Sequence, residues 1–159
     1  MTEKQNAPAR VQVNSLCPRL EYEESEIERL INVLDKAGAF DAPPGELSIA
    51  FVEKDYIAQL HDQFMGDPSP TDVITFPPDP DTDQAGEIIV CPQVAREFAK
   101  KENLSFSDEL SLYLIHGYLH LCGFDDIDDA DRALMRRAEQ QALEVVRKAK
   151  AMPSFNLAP

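Results

Sequence analysis

The run Ser107 to Leu121 constrains the fold of this chain more than any other segment. Leu110, Leu112, Leu114, Ile115, Leu119 and Leu121 give a helix of that length more than one apolar face, so other elements must cover it. Set into the same run are His116 and His120. Four residues apart on a helix, they project from one face, one turn apart, where both imidazoles can reach a single metal ion. An unpartnered imidazole on so apolar a helix is costly to bury, which favours a shared ligand. Gly123 then lets the chain leave the helix, and Asp125-Asp126 follow at once. Either carboxylate can turn back as a third ligand. Two imidazoles and a carboxylate form the donor set of a hydrolytic metal centre rather than of a structural zinc knot, and zinc is the divalent ion expected there.

The rest of the chain supplies a scaffold for that helix. Met1 to Arg10 reads as a disordered lead-in, and Val11 to Leu16 alternates apolar and polar residues as a half-buried strand does. Ser25-Glu26-Ile27-Glu28 has the form of a capping box, opening a helix that buries Ile27, Leu30, Ile31 and Leu34 and ends at Gly38. Leu47 to Val52 reads as a second strand, and Lys54 to Phe64 as a short helix stopped by Gly66 and Pro68. Asp72 to Phe76, bounded by prolines, is a third strand, and Gly86 to Val90 is a fourth. The proline- and aspartate-rich loop Pro77 to Gln84 between them predicts an antiparallel pair. Gln93 to Lys101 is a helix, and Asp128 or Asp129 caps a last one running to Ala149, with Leu134, Ala138 and Leu143 among its buried positions. Met152 to Pro159 reads as a tail. With no repeat and no dividing linker, the expectation is one α/β domain over residues 11–151, with about four strands and helices packed on the sheet.

Composition narrows the function. A chain of 159 residues suits one domain with a full core, and the formal charge of −14 discourages nonspecific attraction to nucleic acid or anionic membranes. No apolar run is long enough to cross a membrane, and the first residues lack the apolar stretch of a signal peptide, so a cytoplasmic location is expected. Cys17, Cys91 and Cys122 are too few and too scattered for a disulfide framework or a thiolate site. Cys122, though near the histidines, is expected to pack as a small apolar residue.

The His-x-x-x-His pair resembles that of the zincins, but Gly117 stands where a peptidase of that type carries its glutamate base. A closer likeness lies elsewhere. The run His116-Gly117-Tyr118-Leu119-His120-Leu121-Cys122-Gly123-Phe124-Asp125 resembles the His-Gly-x-Leu-His-Leu-x-Gly-Tyr-Asp-His signature of the YbeY family, metal-dependent endoribonucleases of bacterial ribosomal-RNA maturation. Pro70-Thr71-Asp72-Val73-Ile74-Thr75-Phe76-Pro77 and Gly86-Glu87-Ile88 resemble two further family stretches, and the likeness spans roughly Leu47 to Glu139.

The resemblance implies an α/β fold with a small mixed sheet and one metal ion. It also implies hydrolysis of single-stranded RNA by a metal-bound water in ribosomal-RNA processing, with ribosomal RNA or the small ribosomal subunit as partner, and neither DNA nor membrane. It makes His116, His120 and Asp126 the metal ligands, because Asp126 falls where the family has its third histidine. A carboxylate there lowers the charge of the centre relative to three histidines. The family's arginine position falls on Met65, and His61 or a basic residue of another segment is the candidate substitute. Asp72 is expected to stabilise the turn into its strand, and Glu87 to orient strands or the metal helix. The alternative reading is a non-catalytic ribosome-assembly factor with a structural metal site.

Overall fold

The computed structural model describes residues 10–159. The expected lead-in lies outside the described residues except for Arg10, whose guanidinium pairs with Asp35 and donates to the Pro43 and Gly45 carbonyls. In chain order the elements are β1 (Val11–Ser15), β2 (Leu20–Tyr22), α1 (Glu24–Lys36), β3 (Glu46–Phe51), α2 (Lys54–Met65), β4 (Val73–Phe76), β5 (Gln84–Val90), α3 (Pro92–Glu102), α4 (Phe106–Leu121), α5 (Asp129–Lys148) and β6 (Phe155–Leu157). The main sheet runs β1-β3-β5-β4. Its first three strands are parallel, and β4 joins β5 antiparallel, as the intervening loop predicts. The fold is therefore a single α/β domain on a small mixed sheet.

Strand alternation divides the core. Leu47, Ile49 and Phe51 of β3, with Ile88 and Val90 of β5, enter the larger cluster with α1, α4 and α5. Ile74 of β4 and Ile89 of β5, with Val52 and Cys91 just beyond their strands, meet Ile57 and Leu60 of α2 in a smaller cluster. Glu87 shares a groove with Ala50, Ile89, Leu60 and Phe76, the residues of that second layer. It therefore lies across the sheet from α4 and does not orient that helix.

Helix α4 is pressed against the sheet at Gly117. A Cβ there would stand 2.6 Å from Ile88 Cγ2 and 3.3 Å from Thr75 Cγ2. The helix passes so close to β4 and β5 that only hydrogen fits. Its first turn is capped by Ser105, whose hydroxyl accepts from the Asp108 amide at 3.2 Å. At the other end Gly123, with φ of 102°, turns the chain out of the helix.

Three further expectations fail, each for a tertiary reason. The capping box does not form: α1 starts at Glu24, its N-cap Glu23 makes no side-chain bond, and Ser25 lies inside the first turn. Strand β2 ends at Tyr22 and so sets the helix start, while Glu24 and Glu26 meet the positive end of the helix dipole instead. Leu134 is 51% exposed, because α5 buries Met135, Ala138, Ala142 and Val146, a stripe one residue further round, with Leu143 at its margin. The expected tail is not one. β6 pairs antiparallel with β2, and Phe155 is buried against Phe51 with ring centroids 5.8 Å apart. The Ser107 hydroxyl accepts from the Phe155 amide and donates to its carbonyl, fastening this strand to the start of α4.

Gly117→Ala should destabilise the protein by about 1–3 kcal/mol in urea unfolding, because β-branched Ile88 cannot swing its Cγ2 clear of the new methyl group.

Candidate metal centre

On α4, residues 109, 113, 116 and 120 fall on one face, and they read Glu, Tyr, His and His. At its end the two imidazoles stand edge to face, with ring centroids 4.6 Å apart and their Nε2 atoms 3.0 Å from each other. Gly123 brings the following loop back, and Asp126 Oδ2 arrives 3.3 Å from His116 Nε2 and 3.6 Å from His120 Nε2. Asp125 is exposed and stays outside the group, so of the adjacent acids it is Asp126 that converges on the histidines. The loop that carries it is braced: Arg132 donates to the carbonyls of Asp126 and Ile127 and pairs with Asp129, while Asp128 caps α5 by accepting from the Asp131 amide.

These three donors fit a divalent ion. Ligand atoms of a four-coordinate zinc site, at bond lengths near 2.05 Å, lie about 3.3 Å apart, and the separations of 3.0, 3.3 and 3.6 Å here centre on that value. The histidine side chains are about one-fifth exposed and that of Asp126 is 44% exposed, so the group opens to solvent on the aspartate side. Cys122 does not take part. Its thiol is pushed up to about 11 by burial and by the charges of Asp35 and Asp41, which marks it as a packed, protonated side chain.

One further residue reaches the group, and no local motif in the sequence singles it out. Glu139 of α5 places Oε2 2.7 Å from His116 Nδ1. Its sequence signal is an acid set among the buried positions Met135, Ala138 and Ala142. Burial alone pulls the His116 imidazole down, but the Glu139 hydrogen bond and charge, joined by Asp126 and Asp72, outweigh it and hold the ring above its usual value. Deeper on the same face, Glu109 is only 8% exposed. Burial raises its carboxyl above the usual range against a hydrogen bond from Tyr113, and the Asp72 and Glu139 charges add to the rise.

Other sequence candidates lie elsewhere. Asp72 Oδ1 accepts from the Val73 amide at 2.8 Å and the Thr71 hydroxyl at 3.2 Å, the turn-stabilising role expected of it. Met65 ends α2 at 67% exposure, and His61 Nδ1 is 2.8 Å from the Ser69 carbonyl in the following loop. Neither joins the metal cluster.

Fold and site together define a class: a single-domain α/β protein with a helix-borne cluster of two imidazoles and a carboxylate able to hold a metal ion. Residues 13–147 match the family model described as Endoribonuclease YbeY, and the chain belongs to the YbeY family. An endoribonuclease YbeY of Protochlamydia amoebophila is 41% identical over 107 residues, 65% of this chain and 71% of the relative. That of Clavibacter michiganensis subsp. michiganensis is 39% identical over 127 residues, 72% of this chain and 82% of the relative. Among solved structures, TM1509 from Thermotoga maritima is similar, with a TM-score of 0.58 at 30% identity, covering 88% of this chain and 93% of that one.

The raised Glu109 carboxyl carries a pH dependence. Its folded-state value lies above its unfolded one, so its contribution is intact at acid pH, below the usual carboxylate range, and is lost as pH rises through the raised folded value. Glu109→Gln, which cannot ionise, should therefore gain thermal stability relative to wild type at neutral pH and lose that advantage in acid, read from melting curves across the pH range.

Proposed function

We propose that this protein is a metal-dependent endoribonuclease that hydrolyses phosphodiesters of single-stranded RNA in ribosomal-RNA processing and ribosome maturation. Its substrate in this reading is ribosomal RNA or the small ribosomal subunit, which makes its setting cytoplasmic. The observation that carries the reading is the convergence of His116, His120 and Asp126 into an open group. Three protein donors with a solvent-facing side suit a catalytic site, whereas structural zinc sites close with a fourth protein ligand. Relatives named endoribonuclease support the choice of RNA.

His116, His120 and Asp126 would hold the ion, and their nitrogen and oxygen donors favour zinc. A bound divalent ion would supply Lewis-acid polarisation of a phosphate oxygen and lower the pKa of water. The chain's own groups set how strongly. Asp126 contributes a full negative charge where a third histidine would be neutral, which weakens the pull on an anionic substrate. Gly117 leaves the helix position beside His116 without the glutamate that a zinc peptidase uses as base, which directs the centre away from peptide hydrolysis. With a formal charge of −14, the chain has little long-range attraction for RNA, so recognition depends on local contacts.

The assembly-factor reading draws on the exposed and uncharged Met65 at the family's arginine position, on Asp126 in place of a third histidine and on the strong acidity of the chain. A cleavage assay separates the two. Single-stranded ribosomal RNA should be cut by the metal-loaded protein and spared after chelation, and both His116→Ala and His120→Ala should lose cleavage while keeping the wild-type circular dichroism. Wild-type cleavage by both variants would refute the proposal, and association with the small subunit without cleavage would establish the alternative. Asp126→His, which removes one negative charge, should move the acid limb of the pH–rate profile to lower pH.

A further inference from the structure

The His116 ring is engaged at both nitrogens, and by groups from different elements. Nε2 faces His120 and Asp126, while Nδ1 lies 2.7 Å from Oε2 of Glu139, whose side chain is only 17% exposed. A carboxylate only accepts hydrogen bonds, so the proton of a neutral ring beside it belongs on Nδ1. Nε2 is then left with its lone pair directed into the cluster. We propose that Glu139 is a positioning residue of the metal centre, holding His116 in the tautomer and rotation in which Nε2 binds the ion.

The placement of Glu139 suits that task. Met135, Ala138 and Ala142 around it are buried, so the carboxylate stands on the docked face of a twenty-residue helix rather than on a mobile side. Asp126 lies in the loop that leads into this same helix, and Arg132, one heptad before Glu139, braces that loop from the helix's first turns. The docking of α5 on α4 thus fixes two sides of the cluster at once. A ring without the carboxylate is free to rotate and exchange its two nitrogens, and its donor atom is less basic. The proposal rests on the reading of His116, His120 and Asp126 as metal ligands and adds to it the group that aims one of them.

The test uses the full chain and Zn2+ as the probe, in competition with a chromophoric chelator, together with nitrogen-15 NMR of the His116 ring in the metal-free protein at alkaline pH, where the ring is neutral. Glu139→Leu should weaken Zn2+ binding by about 10–100-fold. Glu139→Gln, whose amide oxygen still accepts the Nδ1 proton, should recover most of that loss. The wild-type ring should carry its proton on Nδ1. Equal Zn2+ affinity in wild type and a folded Glu139→Leu would overturn the proposal, as would equal losses in the two variants or a wild-type proton on Nε2. Should Glu139→Leu not fold, the ring signals of wild type and the Zn2+ affinity of Glu139→Gln decide: an Nδ1 proton with near-wild-type affinity supports the proposal, and an Nε2 proton overturns it. A wild type that takes up no Zn2+ overturns the metal-centre reading itself, and the proposal with it. Zn2+ uptake that is indifferent to Glu139 overturns the proposal alone.

Discussion

Gly117 and Ile88 meet where α4 lies closest to the sheet, and a Cβ on Gly117 would stand 2.6 Å from Ile88 Cγ2. No side chain fits between α4 and the sheet at that point, so the helix lies directly on β4 and β5. Its rotation is then settled. Gly117 faces the sheet, Tyr118 turns toward α1, where its hydroxyl donates to Asp35 at 2.7 Å, and His116 turns toward α5. Arg10 bridges Asp35 to the loop before β3, so the rear of α4 is tied to the start of β1. A helix locked on three sides can present two imidazoles with their nitrogens 3.0 Å apart.

The same packing gathers carboxylates around those imidazoles. Glu139 touches His116, Asp126 approaches both rings, and the charge of Asp72 is felt at His116 and at buried Glu109. Like charges at such range oppose one another, and a cation among them relieves the strain. The three donors His116, His120 and Asp126 are placed where a divalent ion could be held. The second apolar cluster, across the sheet beneath α2, has no part in this arrangement and serves to cover the other face of β3 and β5.

Much of this is legible in the sequence. The helices of the domain and all four strands of the main sheet followed from periodicity and from glycine and proline punctuation, since those signals are local. The antiparallel hairpin of β4 and β5 followed from the loop between them. The spacing of His116 and His120, with Gly123 just beyond, was enough to place both imidazoles and a returning acid together. Spacing alone did not choose between Asp125 and Asp126, because neighbouring residues on an irregular loop carry no periodicity; the family resemblance pointed to Asp126, and the course of the loop brings that residue to the histidines.

Local chemistry is therefore written in the sequence: a helix bearing two histidines, a glycine exit and an acid within reach. Tertiary structure alone decided what lies against that helix. Glu139 meets His116 across 23 residues, β6 meets β2 across more than a hundred, and the rotation of α5 buries Met135 while exposing Leu134. Each of these depends on the way separate elements dock, and docking answers to the shape of the whole core. No window of sequence contains that information, because the residues that meet are neighbours only once the chain has folded.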